Sequence, residues 1–178
     1  LFTSPPSDNF SKMALAWDTT LEINGVNTKR LIDAAIDRAT DLCEDIGKPT
    51  LIADSGSENV NSDVYGMKKA DLIDIKIAQI EIDESNSAAE VIFRMAKHNY
   101  LFFQTLDDFR SFKKHCDFYL HEYSEVIPHS ALKGATPMEV YMSRWGEVER
   151  LKIAEESEQA KQSRKVMNLA SSCKSCPF

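Results

Sequence analysis

The acidic residues Asp54 and Glu90 are the strongest candidates for chemistry in this sequence. Asp54 directly follows an apolar run, residues 50–53, that predicts a buried strand. Its carboxylate would therefore lie at the C-terminal end of that strand, where ligands gather in open α/β sheets. Glu90 falls in the first turn of a predicted helix, on the same face as Asn86 and Arg94. If the fold brings the two acids together, they can share Mg²⁺ or Mn²⁺, which prefer oxygen ligands and support phosphoryl transfer.

Both acids also have purely structural interpretations. Asp54 could close the following turn by accepting a backbone hydrogen bond, and Glu90 could form a capping box with Ser87. The chain has 28 acidic residues, so an Asp and a Glu at this separation also occur by chance. Residue types and spacing alone therefore leave both roles open.

Composition limits the classes of function. The 178 residues include 21 Lys and Arg against 28 Asp and Glu, a formal net charge of −7. This charge excludes a basic domain that holds nucleic acid by charge alone. No apolar run is long enough to predict a membrane span. The sequence starts at Leu1 without a signal-peptide pattern, so we expect a fragment of a cytoplasmic protein whose natural start lies upstream.

We expect all four cysteines to be reduced thiols. Cys43 and Cys116 lie in apolar helical patterns and are expected in the core. Cys173 and Cys176 form a Cys-x-x-Cys pair near the C-terminus, which supplies two of the four ligands that a structural zinc ion needs. We expect this pair to bind zinc only with ligands from another chain.

Hydrophobic periodicity predicts alternating strands and helices, which is typical of an α/β sandwich of a sheet and flanking helices. The predicted strands cover residues 9–17, 50–53 and 73–77. The predicted helices cover residues 27–46, ended by Gly47, then 86–97, 105–127 and a segment from Thr136, which has the cap, proline and glutamate of a helix start. Residues 147–165 are charged and lack a sustained apolar stripe. We therefore expect a domain over residues 1–145 and a charged helical or disordered tail, residues 146–178, that packs little against it.

Five short segments, in order along the chain, resemble the sequence motifs of one family. Residues 51–59 resemble the strand and DNGS turn of retroviral-type integrases and bacterial insertion-sequence transposases. Residues 86–97 are similar to that family's N-x-x-x-E helix, with its trailing Phe, Arg and Lys. Similar matches join residues 8–12 to D-x-F-S-R, residues 123–132 to YN-x-x-R-PH-x-AL, and residues 134–141 to G-x-TP-x-E-x-Y. The resemblance implies a ribonuclease-H-like catalytic core of the DDE class, a mixed sheet flanked by helices and incomplete at its N-terminus, that cleaves and joins DNA with Mg²⁺ or Mn²⁺.

The resemblance also implies roles for individual residues. Asp54 and Glu90 match catalytic residues that bind the metal. The residues expected to contact DNA are Asn86, Arg94, Lys97 and His129. For Arg94 and Lys97 the alternative is a solvated helix face. For His129 the alternative is a hydrogen bond to a backbone carbonyl, and its loop position favours that structural role.

The match to the family is incomplete at the first catalytic Asp, which in the family lies upstream of the D-x-F-S-R segment. Only seven residues precede Asp8 here, and none of them is acidic. Asp8 and Asp18 are the nearest substitutes, and we expect neither to serve. Ser55 and Ile127 also stand where the family usually has Asn and Arg. We therefore expect the chain alone to bind Mg²⁺ weakly and to join DNA strands undetectably.

Two hypotheses remain open. The first is a partial transposase or integrase core from a mobile element, which acts in DNA integration and recombination on element ends and target DNA at the bacterial nucleoid. Assembly of DNA ends would imply a homo-oligomer. The second is a decayed or repurposed ribonuclease-H-like domain that binds DNA or a protein partner without catalysis.

Overall fold

A computed structural model describes residues 5–21, 24–56, 61–78 and 87–171. The described part contains two strands, six α-helices and two short 3₁₀ turns. In chain order, the elements are α1 (Gly25–Leu42), β1 (Thr50–Ala53), α2 (Ser62–Lys69), β2 (Asp74–Ile77), α3 (Ser87–Asn99), the 3₁₀ turn Leu101–Phe103, α4 (Phe109–Glu125), the 3₁₀ turn Ser130–Leu132, α5 (Pro137–Tyr141) and α6 (Glu147–Ser171). The chain is therefore mixed α/β, mostly helical with a small sheet, which confirms the predicted class in its coarse form.

The two strands form a parallel pair in which Leu51 lies opposite Ile75 and Ala53 opposite Ile77. Helix α2 lies between them in sequence, because parallel strands need a crossover connection. Ile75 and Ile77 are buried while Lys76 is exposed, which confirms the predicted alternation. The apolar side of this unit forms a core of buried side chains from α1, α2 and β2, with Ile73 just ahead of β2: Ile32, Val64, Met67, Ile73, Ile75 and Ile77.

A second core joins α3 and α4. Its buried side chains come from α3, α4, the first 3₁₀ turn and the N-terminal segment: Ala14, Ile92, Ala96, Leu101, Cys116, Tyr119, Leu120 and Tyr123. Tyr100 stacks on Tyr119 with ring centroids 5.7 Å apart. Burial raises the pKa of Cys116 to about 11, so this thiol is an inert core group, as predicted. This core fixes α3, the helix that carries Glu90.

The predicted strand over residues 9–17 is wrong. The chain instead makes a tight reversal, with a single antiparallel bridge between Ser7 and Ala14. Asp8 Oδ2 accepts hydrogen bonds from the backbone N–H of Ser11 at 2.6 Å and from its hydroxyl at 2.7 Å, and Lys12 takes the left-handed conformation with φ of 65°. These local side-chain bonds compete with strand pairing, while Met13 and Ala14 still become buried.

The other helix boundaries differ from the predictions in ways that local bonds explain. Helix α1 ends at Leu42 rather than residue 46, and Gly47 uses its φ of 58° in a later turn, where its N–H donates to Asp45. Helix α2 was not predicted, although Asn61 caps it by accepting from two backbone N–H groups. Helix α4 is capped by Asp108, three residues after the Thr105 that the sequence pattern indicated.

Near the C-terminus, the predicted helix start at Thr136 is confirmed, and the segment expected to be helical or disordered contains a helix. Thr136 and Glu139 form the expected reciprocal capping box, with bonds of 2.8 and 3.2 Å, at the start of α5. Helix α6 has 25 residues, and its described side chains are all exposed. A Cβ placed on Gly134 would lie 3.2 Å from Ile153 Cγ2, so α6 does touch the body of the protein near Ile153. Within the described ranges, no helix combines the length and apolarity that crossing a membrane requires.

Candidate active site

Asp54 lies where the sequence predicts it, immediately after the C-terminal end of β1, and it is exposed. Its Oδ1 accepts a hydrogen bond from the backbone N–H of Gly56 at 3.0 Å. This bond is the turn-closing role that the structural interpretation requires. A carboxylate has about four acceptor positions, so one backbone bond is compatible with metal binding as well.

Glu90 lies in the first turn of α3 and is exposed. Arg94 and Lys97 follow Glu90 by four and seven residues, so the three side chains occupy one helix face, and all three are exposed. The opposite face is buried through Ile92 and Ala96. Glu90, Arg94 and Lys97 form no ion pair with any residue in the described ranges. The result is one acidic and two basic groups presented together to solvent.

Some predicted residues lie outside the described part of the chain. Asn86 is one of them, as are Cys173 and Cys176, and the side chain of Ser87 is not described either. The capping-box alternative for Glu90 and the zinc prediction for the C-terminal cysteines are therefore untested.

The donor set at Asp54 and Glu90 fits Mg²⁺ or Mn²⁺ in kind. Both residues offer exposed carboxylate oxygens, and Mg²⁺ is often bound through one or two carboxylates plus substrate phosphates. Within the described ranges, no group of three or more His, Cys, Asp or Glu residues is arranged to hold a metal ion. Segment 79–86, which leads into α3, lies outside those ranges, and the convergence of the two carboxylates stays a prediction.

Asp18, one of the two nearest substitutes for the first catalytic Asp, is engaged in the fold. Its Oδ1 accepts from Lys113 Nζ at 2.7 Å and from the backbone N–H of Thr19 at 2.8 Å, and its Oδ2 pairs with Arg30. Burial alone would raise the pKa of Asp18, but the bond and charge of Lys113, the Thr19 N–H and Arg30 together lower it. Asp18 thus links the N-terminal segment to α1 and α4.

Asp8 is likewise held by its own turn, through the two bonds from Ser11. Both substitutes therefore have structural partners, and the expectation that neither replaces the first catalytic Asp stays a prediction.

His129 is also tied to the fold. Its Nε2–H donates to the carbonyl oxygen of Tyr123 at 3.0 Å, and its ring meets the Tyr123 ring edge-on at 4.4 Å. Burial lowers the pKa of His129 below its usual 6.5, against the opposing effect of the bond to Tyr123, so the ring is neutral at pH 7. These contacts favour the structural role, and a DNA contact stays a prediction.

A cavity beside Lys97 was missed by the sequence analysis. Its volume is about 240 Å³, and its walls are almost entirely apolar: Phe93, Lys97, Leu101, Phe102, Leu106 and Phe112. The signal was the run of three bulky apolar residues directly after α3, which forms the 3₁₀ turn Leu101–Phe103 and leaves Phe102 and Phe103 exposed.

Comparisons with known proteins place this geometry in a known fold. The structure is similar to the catalytic core domain of BIV integrase, with a TM-score of 0.57 and 15% identity, over 78% of this chain and 83% of that domain. It is also similar to the HTLV-2 integrase catalytic core domain, solved in complex with magnesium in a dimeric form, with a TM-score of 0.50 and 13% identity, over 77% of this chain and 80% of that one. No family model and no curated protein sequence matches the chain. The fold of this chain is that of a retroviral-type integrase catalytic core.

Proposed function

We propose that this chain is an integrase-type catalytic domain of the DDE class that acts on mobile-element DNA ends. One observation carries the proposal. A chain with the integrase-core fold presents an exposed Asp54 at a strand end and an exposed acidic and basic face on α3. This arrangement supplies both kinds of side chain that metal-dependent phosphoryl transfer on DNA uses: carboxylates for a metal ion and cationic side chains for the phosphates.

Asp54 and Glu90 are the residues that would hold Mg²⁺ or Mn²⁺. When bound, such an ion would stabilise the negative charge that develops on phosphate oxygens and would make the attacking oxygen more nucleophilic. Arg94 and Lys97, one and two turns after Glu90, bind and orient the DNA phosphates. Because the net charge is −7, DNA binding depends on this local patch rather than on the protein as a whole.

Two carboxylates offer a divalent ion fewer ligand oxygens and a weaker electrostatic attraction than three. We therefore propose that this chain alone binds the ion weakly and does not join DNA strands at a detectable rate. We propose that neither Asp8 nor Asp18 supplies the missing carboxylate: the resemblance aligns Asp8 with a non-catalytic Asp, and Asp18 is paired with Lys113 and Arg30.

The metal assignment is tested by titrating the protein with Mn²⁺ and following bound Mn²⁺ by electron paramagnetic resonance. Asp54→Asn and Glu90→Gln should each weaken Mn²⁺ binding at least tenfold, since each removes half of the charged donor set. Asp63→Asn is the matched control, because Asp63 is also an exposed acid in the first turn of a helix. Equal Mn²⁺ affinity in all four proteins would contradict the assignment.

The phosphate assignment is tested by fluorescence anisotropy with labelled duplex DNA over a range of salt concentrations. Removing a phosphate contact should weaken binding and reduce the slope of log K against log salt by about 0.9. We expect this result for Arg94→Ala and for Lys97→Ala. Lys114→Ala, an exposed lysine on α4, should leave both quantities unchanged. If the control and test variants behave alike, DNA binding does not use the α3 face.

Catalysis is tested separately. Mn²⁺-dependent strand joining by the purified chain, abolished by Glu90→Gln, would show that two acids suffice and that the proposed inactivity is wrong.

The second candidate function is a non-catalytic module of the same fold. The observation that favours it is the bond from Gly56 to Asp54, which already gives this acid a structural role. A module of this kind would bind DNA with the same affinity in Mn²⁺ and in EDTA. A metal-dependent DNA affinity that is lost in Asp54→Asn would exclude it.

A further inference from the structure

Helix α6 carries two exposed apolar patches on one face. Val148 and Leu151 form the first patch, and Val166 and Leu169 repeat the same spacing 18 residues later. Eighteen residues are about five turns of an α-helix, so both patches point in the same direction. The four side chains are between 59% and 75% exposed. An α-helix that places large apolar side chains in line at both ends has the pattern of a helix-pairing surface.

The remaining face of α6 shows which way this surface points. Ile153, which approaches Gly134, lies five residues after Val148 and two after Leu151, and thus on roughly the opposite side of the helix. The contact with the body of the protein therefore uses the side away from the two patches. The patches face outward, where another helix can reach them.

The charges of α6 are segregated along its length. Residues 147–158 contain five acids and two bases, whereas residues 159–171 contain three bases and no acid. The first half thus carries a formal charge of −3 and the second half +3. A second copy of α6 laid antiparallel places each acidic half beside a basic half. A parallel arrangement would place like charges side by side, which is unfavourable.

We propose that α6 pairs antiparallel with α6 of a second copy of this chain. Centring the pair between Glu158 and Gln159 puts Val148 opposite Leu169 of the second copy, and Leu151 opposite its Val166. The middle layers are polar, with Glu155 opposite Gln162. Polar residues in such a seam lower affinity but fix the register. This pairing is independent of the catalytic proposal, since none of these residues belongs to the candidate active site.

The first test is the oligomeric state of the full chain, measured by sedimentation over a range of protein concentrations. We expect a concentration-dependent dimer that weakens with added salt. The double variant Leu151→Gln and Val166→Gln should raise the dissociation constant at least tenfold. Met167→Gln is the matched control, because Met167 is 61% exposed next to Val166 but lies off the apolar face. Its dissociation constant should not change.

The second test distinguishes the orientation. In a background without Cys43, Cys173 and Cys176, a Val148→Cys chain mixed with a Leu169→Cys chain should form a disulfide-linked heterodimer on oxidation. Val148→Cys alone should not cross-link to itself. Circular dichroism checks that each variant keeps its helix content. We expect the variants to fold, because the substituted side chains are exposed.

Three results would overturn the proposal. The chain could be monomeric at all concentrations. The dimer could be equally stable with Leu151 and Val166 replaced, which would place the interface elsewhere. Self-cross-linking of Val148→Cys would show a parallel pair. If the chain is monomeric and replacement of the basic half of α6 by glutamates instead abolishes DNA binding, the occupant of this surface is DNA.

Discussion

Replacing Asp18 with Asn should destabilise the protein, because Asp18 connects three parts of the fold through charge. Its carboxylate pairs with Arg30 on α1 and with Lys113 on α4, while Thr19 donates its N–H from the same segment. Asparagine keeps the shape and one acceptor oxygen but removes the negative charge. The two cations then lose their shared partner.

The size of the effect follows from exposure. The side chain of Asp18 is 26% exposed, that of Lys113 42% and that of Arg30 64%, so water and salt screen both pairs. Pairs of this kind contribute about 0.5 kcal/mol each, and the loss should be about 1 kcal/mol in total. For a protein of this size, that loss lowers the unfolding midpoint by roughly 2–4 °C.

The pH dependence gives a sharper check. The pKa of Asp18 is lowered in the folded state, so its contribution is complete above the unfolded-state pKa and is lost as the pH falls through the folded value. The difference between the wild type and Asp18→Asn should therefore be full at pH 7. It should shrink as the pH falls below the ordinary value of 3.8.

Urea unfolding of the wild type and Asp18→Asn at pH 7 and pH 3 measures the difference in unfolding free energy and its change with pH. Asp33→Asn is the control, since Asp33 makes a single, more exposed pair with Lys29 along α1 and should cost less than half as much. Two results would refute the reasoning: no difference between wild type and Asp18→Asn at pH 7, or a difference that is the same at both pH values.

Three further predictions concern α5, α6 and the candidate site. Thr136→Ala removes the α5 cap and should lower the free energy of unfolding, measured in urea, by about 1 kcal/mol. Ser130→Ala is the control and should leave that free energy unchanged. Deleting residues from Glu147 onward should leave the thermal midpoint of the core within a few degrees, and aggregation would contradict this. Glu90→Gln should bind DNA about twofold more tightly than wild type in EDTA at low salt, because a like charge near the phosphates is removed; weaker binding would contradict it.

The parts of the fold that the sequence predicts are those set by neighbouring residues. Strand β1 follows from its apolar run, and β2 follows from the alternation of Ile75 and Ile77 with charged residues. The start of α5 follows from Thr136 and Glu139, whose reciprocal bonds need only residues three positions apart. In each case the signal and the structure extend over the same few residues.

The errors arise where two local signals compete. Residues 9–17 have the apolar content of a strand, but the bonds from Ser11 to Asp8 close a turn within this segment. Helix α2 has a weakly apolar sequence and a local cap at Asn61, and burial of Val64 and Met67 adds the stabilisation that so short a helix needs. Neither outcome can be derived from propensity, because the deciding contacts are specific bonds or distant residues.

The placement of the candidate residues on their elements follows from the sequence, whereas the convergence of the Asp54 and Glu90 carboxylates stays a prediction. The positions of Asp54 after β1 and of Glu90 in the first turn of α3 follow from strand and helix boundaries. The sequence indicated a backbone-carbonyl bond for His129 but not its partner, Tyr123, because that partner depends on loop conformation. The pairing of Asp18 with Lys113 could not be predicted, because it depends on tertiary packing. The cavity beside Lys97 also requires the turn that follows α3.

The charge of the candidate site explains why metal and DNA should bind together. In the proposed site without a metal ion, Asp54 and Glu90 would add two negative charges near the phosphates that Arg94 and Lys97 would attract, so the four charges would sum to zero. A divalent ion held by the two acids changes this local sum to +2, although the whole chain remains acidic. Two opposite unit charges about 4 Å apart attract each other by about 1 kcal/mol in water, and salt at 0.1 M screens the attraction beyond about 10 Å. The proposed function therefore predicts that DNA affinity depends on metal occupancy of this one site more than on the net charge of the chain.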